Sequence, residues 1–145
     1  MPLQLEYLSR GNTMSTEIAM QKRGYLLPLE DDSPNKEMVL LVDDNEDILG
    51  LVAEILETLG YDVVSARTGL EALAILRDNS RISILLTDIQ MPDMGGEELV
   101  AIAAASWPDL RVIFASGSAR PSADAAFLQK PYKTTDLVRV LSPLR

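Results

Sequence analysis

The sequence predicts an α/β fold in which five parallel strands form one doubly wound sheet with helices on both faces. Short apolar runs of strand length alternate along the chain with amphipathic segments of helical period, the pattern of βαβ units. Several of these apolar runs are continuous rather than alternating, as expected for strands that are covered on both faces. Right-handed crossovers between such units lead us to expect the strand order 2-1-3-4-5.

Hydrophobic periodicity gives the elements and their approximate bounds. We predict strand 38–42, helix 45–59, strand 61–66, helix 68–78, strand 82–87, helix 96–106, strand 111–115, strand 126–129 and helix 135–144.

The first four elements each have a local reason. The first strand is a continuous apolar run closed by two aspartates, and the first helix repeats apolar residues at helical spacing until Gly60 ends it. The second strand follows that glycine directly. Thr68 with Glu71 three residues later is a capping box, which opens the second helix.

The later elements follow the same logic. The third strand is an apolar run that ends abruptly at Asp88, and Pro108 ends the helix after it. The fourth and fifth strands are apolar runs that end at polar residues, and Leu137, Val140 and Leu144 give the last helix its apolar face.

The crossover between the fourth and fifth strands is too short for an ordinary helix. Residues 117–124 have Pro121 in their middle, whereas a mean helix has about 11 residues before its loops are added. We therefore predict a flavodoxin-like sheet in which the fourth helix is shortened or absent.

The first 37 residues lack this regularity. Residues 30–36 are polar and turn-forming, so we interpret 1–37 as a flexible extension with a short helix at Thr16–Arg23. Met14 is an alternative start of the chain. Residues 38–145 are then one domain, long enough to bury a core.

The composition excludes several kinds of chemistry. The chain has no cysteine and no histidine, which rules out thiolate metal sites, Ser-His-Asp triads and phosphohistidine on this chain. Thirteen basic residues against 22 acidic ones give a net charge of -9, which argues against a nucleic-acid surface. No apolar run approaches the ~18 residues of a membrane span, and no signal peptide is visible, so we expect a cytoplasmic protein without a membrane partner.

Five polar residues follow the carboxyl ends of the predicted strands. Asp43 and Asp44 follow the first strand, Asp88 the third, Ser116 the fourth and Lys130 the fifth. Because the carboxyl ends of parallel strands meet at one edge, we expect all five near the switch point between strands one and three. Taken alone, each has an ordinary explanation; an aspartate pair, for instance, often caps the following helix.

Together these residue types favour phosphoryl chemistry on a carboxylate. Three carboxylates in one pocket repel each other unless a cation joins them, and oxygen-only ligands favour a hard ion such as Mg²⁺. Lys130 can hold a phosphate oxygen and the Ser116 hydroxyl can donate to another. Asp88 is left as the nucleophile.

The chain resembles the receiver domains of bacterial two-component response regulators. The resemblance covers residues 38 to 144 and rests on blocks in the expected order and spacing: Leu41-Val42-Asp43-Asp44, Thr87-Asp88-Ile89-Gln90-Met91-Pro92-Asp93-Met94-Gly95-Gly96, Ser116-Gly117 and Lys130-Pro131.

The resemblance implies a role for each matching residue. Asp88 is expected to take a phosphoryl group from the histidine of a sensor kinase or a phosphotransfer protein. Asp44, Asp88 and the backbone carbonyl of Gln90 are expected to bind Mg²⁺ directly, and Asp43 to act through water. Lys130 is the expected phosphate-contacting lysine.

Two further positions concern the switch. Ser116 corresponds to the switch hydroxyl of the family and Phe127 to its switch aromatic, although Phe127 is equally well explained as a core residue. The block Phe114-Ala115-Ser116-Gly117 resembles that of a divergent subset of receivers that lack the fourth helix. The usual output face must then differ here, and we expect the switch to be a reordering of the loop after the fourth strand.

These observations predict a single-domain response regulator that is not an enzyme beyond self-phosphorylation and self-dephosphorylation. The chain ends at Arg145, just past the last helix, so we expect output through a downstream protein target, or a role as a phosphate relay or sink. The alternatives are a phosphorylation-independent pseudo-receiver and the terminal receiver of a hybrid histidine kinase. An aspartyl phosphatase is disfavoured because its nucleophile follows strand one, and dinucleotide binding because no glycine-rich turn follows that strand.

Overall fold

The structure is a computed structural model, and it describes residues 36–118, 120–121 and 125–142. Each element of this part begins within one residue of its predicted start. The elements are β1 (Met38–Val42), α1 (Glu46–Thr58), β2 (Asp62–Ala66), α2 (Gly69–Asp78), β3 (Ile82–Asp88), α3 (Gly96–Ser106), β4 (Arg111–Ser116), β5 (Ala126–Gln129) and α4 (Thr134–Leu141).

The five strands form one parallel sheet in the order β2-β1-β3-β4-β5. The predicted fold class and strand order are confirmed. The register aligns Val42 with Thr87, Asp88 with Ala115, and Ser116 with Gln129. The carboxyl ends of the three inner strands and of β5 are therefore level with one another at a single edge.

Alternate residues of the strands pack into two apolar clusters, one on each face of the sheet. The β1 strand is buried along its whole length, which explains why its sequence is a continuous apolar run. One cluster contains residues of α1 and α4, and the other contains residues of α2 and α3. Their largest fully buried members include Leu40, Leu56, Ile84, Leu85, Leu86, Leu99, Ile113, Leu128, Leu137 and Leu141.

The helices begin and end largely as the sequence indicates. The Asn45 side chain caps α1 by accepting from the amides of Asp47 and Ile48, at 2.9 and 3.2 Å. Gly60 follows that helix with a φ of +100°.

The capping box predicted for α2 is only half present. The Thr68 hydroxyl accepts from the Glu71 amide at 3.0 Å, but the Glu71 carboxylate accepts from the amide of Arg67 instead of that of Thr68. The helix still begins at the predicted place because the threonine contact alone satisfies one of its unpaired donors.

The short fourth crossover contains no helix in the part that the structure describes, residues 117–118, 120–121 and 125. This agrees with the prediction from its length. The guanidinium of Arg111, at the start of β4, donates to the carbonyls of Val140, Leu141 and Ser142 and so ties the end of α4 to the sheet.

Some predictions fall outside the described residues, namely the extension up to residue 35, its helix at Thr16–Arg23, and Leu144. Among the helices that the structure describes, none is long and apolar enough to cross a membrane.

Candidate functional site

The carboxyl edge of the sheet gathers three acidic side chains. Asp43 and Asp44 follow β1, and Asp88 is the last residue of β3. One carboxylate oxygen from each lies within 4.8 Å of those of the other two. Asp43 and Asp88 are buried and Asp44 is exposed. Solvent therefore reaches this acidic cluster from the side of Asp44.

Asp43 and Asp44 are not used to cap the helix that follows them. Asn45 makes that cap, and Asp43 Oδ1 accepts from the backbone amide of Asn45 at 3.0 Å. The structure therefore removes the ordinary explanation of the aspartate pair as a helix cap, and it leaves both carboxylates beside Asp88.

Lys130 lies inside the same pocket. Its Nζ is 2.8 Å from Asp43 Oδ2 and 3.4 Å from Asp88 Oδ2, and its side chain is 19% exposed. The residue directly follows β5, the strand farthest from β2 in the sheet. A cation from one end of the fold thus reaches carboxylates at the switch point between β1 and β3, as the sequence predicted.

The electrostatics of the pocket shift two of these groups. Burial raises the pKa of the Asp88 carboxyl, the charge of Lys130 opposes the rise, and the charge of Asp43 adds to it. Burial alone would lower the pKa of Lys130, but its hydrogen bond and its charge interaction with Asp43, reinforced by Asp88, raise it instead. The lysine is therefore a fixed cation between two carboxylates.

Ser116 ends β4 at this edge and is buried. Its carbonyl accepts from the Lys130 amide at 2.8 Å, and its hydroxyl oxygen accepts from the Ser118 amide at 3.2 Å. Ser116 is thus joined both to the segment that carries Lys130 and to the start of the β4–β5 connection.

Gln90 lies in the loop between β3 and α3, two residues after Asp88. Its backbone amide donates to the Asp88 carboxylate. Its side-chain oxygen accepts from the Ser118 hydroxyl at 2.9 Å, which joins this loop to the β4–β5 connection. The sequence singled out the Gln90 backbone but gave no indication of the side-chain contact.

The Asp88 loop depends on a close backbone approach at its far end. A Cβ added to Gly96 would lie 2.2 Å from the Asp88 carbonyl oxygen, a distance that side-chain atoms do not adopt. Gly96 also donates its amide to the Ile89 carbonyl at 2.8 Å. Only glycine fits at this position without displacing Asp88.

Phe127 lies on β5 in register with Phe114, and it is half-buried. The guanidinium carbon of Arg120 is 4.6 Å from the centre of its ring. The structure thus puts Phe127 on the sheet beside the β4–β5 connection, where the guanidinium of Arg120 covers its ring.

Tyr132 is a member of the site's surroundings that sequence reasoning missed. It packs against the cluster on the α1 face, and burial together with the charges of Asp43 and Asp88 raises its pKa to about 12. Its position two residues after Lys130 is the only indication that the sequence offers.

Comparison with known proteins agrees with this geometry. The family model described as the response regulator receiver domain matches residues 39–142. The chain belongs to this family. The resemblance found in the sequence is therefore confirmed, and the chain contains a receiver domain, a signalling domain of two-component systems.

Curated relatives of this receiver domain include a response regulator receiver protein and a sensor kinase. The response regulator receiver protein CpdR of Brucella abortus is 35% identical over 114 residues, which cover 73% of this chain and 94% of CpdR. The sensor kinase CckA of the same organism is 31% identical over 122 residues, 78% of this chain but only 13% of the kinase. The chain therefore spans nearly all of the first protein and a small part of the second.

Solved structures of receiver proteins have the same fold. The chemotaxis protein CheY4 of Vibrio cholerae matches with a TM-score of 0.67 at 28% identity, over 73% of this chain and 96% of that one. A CheY-like receiver domain protein of Methanospirillum hungatei matches with a TM-score of 0.66 at 34% identity, over 72% and 89% of the two chains.

Proposed function

We propose that this receiver domain accepts a phosphoryl group on Asp88 from the phosphohistidine of a sensor histidine kinase or phosphotransfer protein. One observation carries the proposal: Asp88 shares a pocket with Asp43, Asp44 and Lys130 although the four residues come from three separate parts of the chain. A buried carboxylate beside a lysine and two more carboxylates suits the binding and transfer of an anionic group.

The acidic cluster fits a divalent metal ion, and we propose Mg²⁺. All three ligands are carboxylates within 4.8 Å of one another, and Mg²⁺ prefers oxygen ligands and retains waters on an open side. Asp44 and Asp88, with the Gln90 carbonyl, would hold the ion and Asp43 would act through water. When bound, Mg²⁺ supplies positive charge that lowers the repulsion between these carboxylates and an incoming phosphate.

The transfer itself requires a nucleophile and charge compensation. A carboxylate oxygen of Asp88 forms a bond to phosphorus while the P–N bond to the donor histidine breaks. The nitrogen keeps the electron pair, and the donor leaves as neutral imidazole when its other ring nitrogen carries a proton. Lys130 moves from its carboxylate contacts to a phosphoryl oxygen, and the Ser116 hydroxyl donates to another.

Output follows from a change in the β4–β5 connection. Ser116 and Ser118 tie this connection to the pocket, so a phosphoryl group that draws the Ser116 hydroxyl also displaces the residues after it. We infer that this loop reordering, with Phe127 beside it, alters binding of a downstream protein target in the cytoplasm. Nucleic acid and membranes are not among the proposed partners, and the domain acts as phosphoacceptor, relay or sink rather than as an enzyme with turnover on other molecules.

A second arrangement is a receiver at the end of a hybrid kinase. The match to part of the sensor kinase CckA favours it. The chemistry at Asp88 is the same in both arrangements, and they differ in whether the donor histidine belongs to the same polypeptide. A pseudo-receiver without phosphorylation is the competing hypothesis, and the complete set of acidic residues and Lys130 argues against it.

The direct test offers the whole chain a small phosphodonor with Mg²⁺ and measures the intact mass. We expect one phosphoryl group on the wild type and none on Asp88→Asn. Asp93→Asn is the matched control, because Asp93 is an exposed carboxylate of the same loop with a φ of +69° that asparagine tolerates. Equal phosphorylation of wild type and Asp88→Asn would refute the assignment and favour a pseudo-receiver or another acceptor.

A further inference from the structure

Arg120 lies in the short connection between β4 and β5, and it covers the ring of Phe127 on β5. Its guanidinium carbon is 4.6 Å from the centre of the Phe127 ring, a cation–π contact. Arg120 is exposed and forms no salt bridge with any residue that the structure describes. Arg67, by contrast, is held by Glu46 at 2.9 Å.

The segment that carries Arg120 begins at the phosphoryl pocket. The Ser118 hydroxyl donates to the Gln90 side chain at 2.9 Å, and the Gln90 amide donates to the Asp88 carboxylate. Two residues of chain span at most about 7 Å, so the Cα of Arg120 is within that distance of the Cα of Ser118. Gln129 donates to the Gly117 carbonyl at 3.1 Å, which keeps the start of the segment beside β5.

Once Asp88 is phosphorylated, the negative charges in the pocket outnumber the positive ones, so a further cation would bind favourably. Asp43 and Asp44 keep their negative charges, and the phosphoryl group brings about two more. A bound divalent cation and Lys130 together supply three positive charges, so about one negative charge remains uncompensated. The guanidinium geometry suits phosphoryl oxygens because two of its N–H groups can bind them side by side.

We propose that Arg120 is a second cationic ligand of the phosphoryl group, held on Phe127 while Asp88 is unmodified. This inference rests on the proposed function and goes one step further, because it names the residue that responds to the new charge. An exposed cation–π contact is weaker than a charge-assisted bond to phosphate, so Arg120 transfers when the phosphoryl group appears. The transfer uncovers the Phe127 ring, and a partner then meets an exposed aromatic residue.

The test uses the full chain with beryllofluoride and Mg²⁺, a stable mimic of the acyl phosphate. In the unmodified protein, we expect the Phe127 ring current to shift the Arg120 side-chain protons upfield in the NMR spectrum, and Phe127→Leu to remove this shift. We expect beryllofluoride to remove it in the wild type as well. We also expect Arg120→Gln to weaken beryllofluoride binding about tenfold, the loss of one charge-assisted contact.

Arg77→Gln is the matched control, since Arg77 is an exposed cation in the last turn of α2, which leads away from the pocket. Its beryllofluoride affinity should equal that of the wild type. If beryllofluoride binds but the Arg120 protons keep their shift, or if Arg120→Gln binds it as tightly as wild type, the role of Arg120 is refuted and the proposed function stands. If the wild type binds no beryllofluoride, the proposed function fails and this inference fails with it.

Discussion

Lys130 is the residue on which the electrostatics of the pocket depend. It is the cation between Asp43 and Asp88, both buried, and it approaches them at 2.8 and 3.4 Å. Removing one partner of a buried ion pair leaves the other charge without compensation, which is more costly than never having had the pair. Lys130 therefore has a structural role in the metal-free protein in addition to its proposed contact with phosphate.

We predict that Lys130→Met lowers the free energy of unfolding by roughly 1–3 kcal/mol in the presence of a chelator. Methionine retains most of the volume of lysine, so the change reports mainly on charge. Urea unfolding measures it, and Mg²⁺ should restore part of the loss because the ion supplies the missing positive charge. An unchanged midpoint without Mg²⁺ would mean that the pocket is hydrated enough to need no cation.

The raised pKa of Tyr132 indicates that the free energy of unfolding depends on pH in the alkaline range. Its pKa is raised to about 12 in the folded protein, from an ordinary value near 10. The folded state then holds the phenolic proton more tightly than the unfolded state does. The contribution of this group to the free energy of unfolding is therefore fully present below pH 10 and is lost as the pH rises through 12. We expect a loss of about 2 kcal/mol from this group between pH 10 and pH 12. Denaturant unfolding of wild type and Tyr132→Phe measures it, and equal slopes against pH for the two proteins would contradict it.

The individual site residues differ in how readily a sequence reveals them. Asp43, Asp88 and Lys130 could be predicted because each stands at the end of an apolar run, and topology brings strand ends together. Arg120 and the Gln90–Ser118 hydrogen bond could not, since they depend on the path of a connection with no periodicity. Tyr132 is likewise an ordinary residue by sequence, and it acquires its raised pKa from its burial in the fold and from the nearby charges of Asp43 and Asp88.

Among the elements, the loop from β3 to α3 is the one that positions Asp88. Gly96 at its end has no room for a side chain, because an added Cβ would lie 2.2 Å from the Asp88 carbonyl oxygen. Gly50, on the exposed side of α1, has nothing within 4 Å of an added Cβ. Alanine at Gly96 therefore tests the effect of a steric clash, and alanine at Gly50 tests the effect of helix propensity alone.

We predict opposite effects for alanine at these two positions. Gly96→Ala should lower the free energy of unfolding by about 1–3 kcal/mol and reduce phosphorylation of Asp88, because the loop must shift to admit the methyl group. Gly50→Ala should raise it by about 0.5–1 kcal/mol, the helix propensity difference, and leave phosphorylation unchanged. Thermal unfolding and mass spectrometry of the phosphorylated chain measure both. Normal phosphorylation of a fully stable Gly96→Ala protein would show that the loop is not held as tightly as we infer.

The sequence predicted most elements because each has a clear period and a clear end. The fourth crossover was predicted by counting, since too few residues remain for a helix and Pro121 interrupts them. One contact of the predicted α2 capping box, from the Thr68 amide to the Glu71 carboxylate, was wrong. Glu71 accepts from the adjacent Arg67 amide instead, and residue types do not decide between the two amides.

At the scale of the whole molecule, the net charge of -9 and the cluster of three carboxylates oppose compaction. A ligand that binds only the folded state offsets this by an amount that grows with the logarithm of its concentration relative to its dissociation constant. The Mg²⁺ binding that we propose would therefore stabilise the entire domain as well as support the proposed chemistry at Asp88.

We predict that Mg²⁺ at a hundred times its dissociation constant raises the free energy of unfolding by roughly 2.7 kcal/mol. Asp44→Asn should lose most of this gain, because the variant lacks one of the two carboxylates that would bind the ion directly. Sodium chloride at equal ionic strength is the control for general screening of the acidic surface. An equal gain with sodium would contradict a specific metal site.

The central claim is that Asp88 is the phosphoacceptor, and locating the phosphoryl group within the chain tests it most directly. The full chain is phosphorylated in Mg²⁺, the acyl phosphate is reduced chemically to a stable alcohol, and peptide mass spectrometry identifies the altered residue. Our account predicts the modification at Asp88 and its disappearance when Mg²⁺ is chelated before the donor is added. Modification of another carboxylate, or none at any residue while the protein is folded and bound to Mg²⁺, would contradict it.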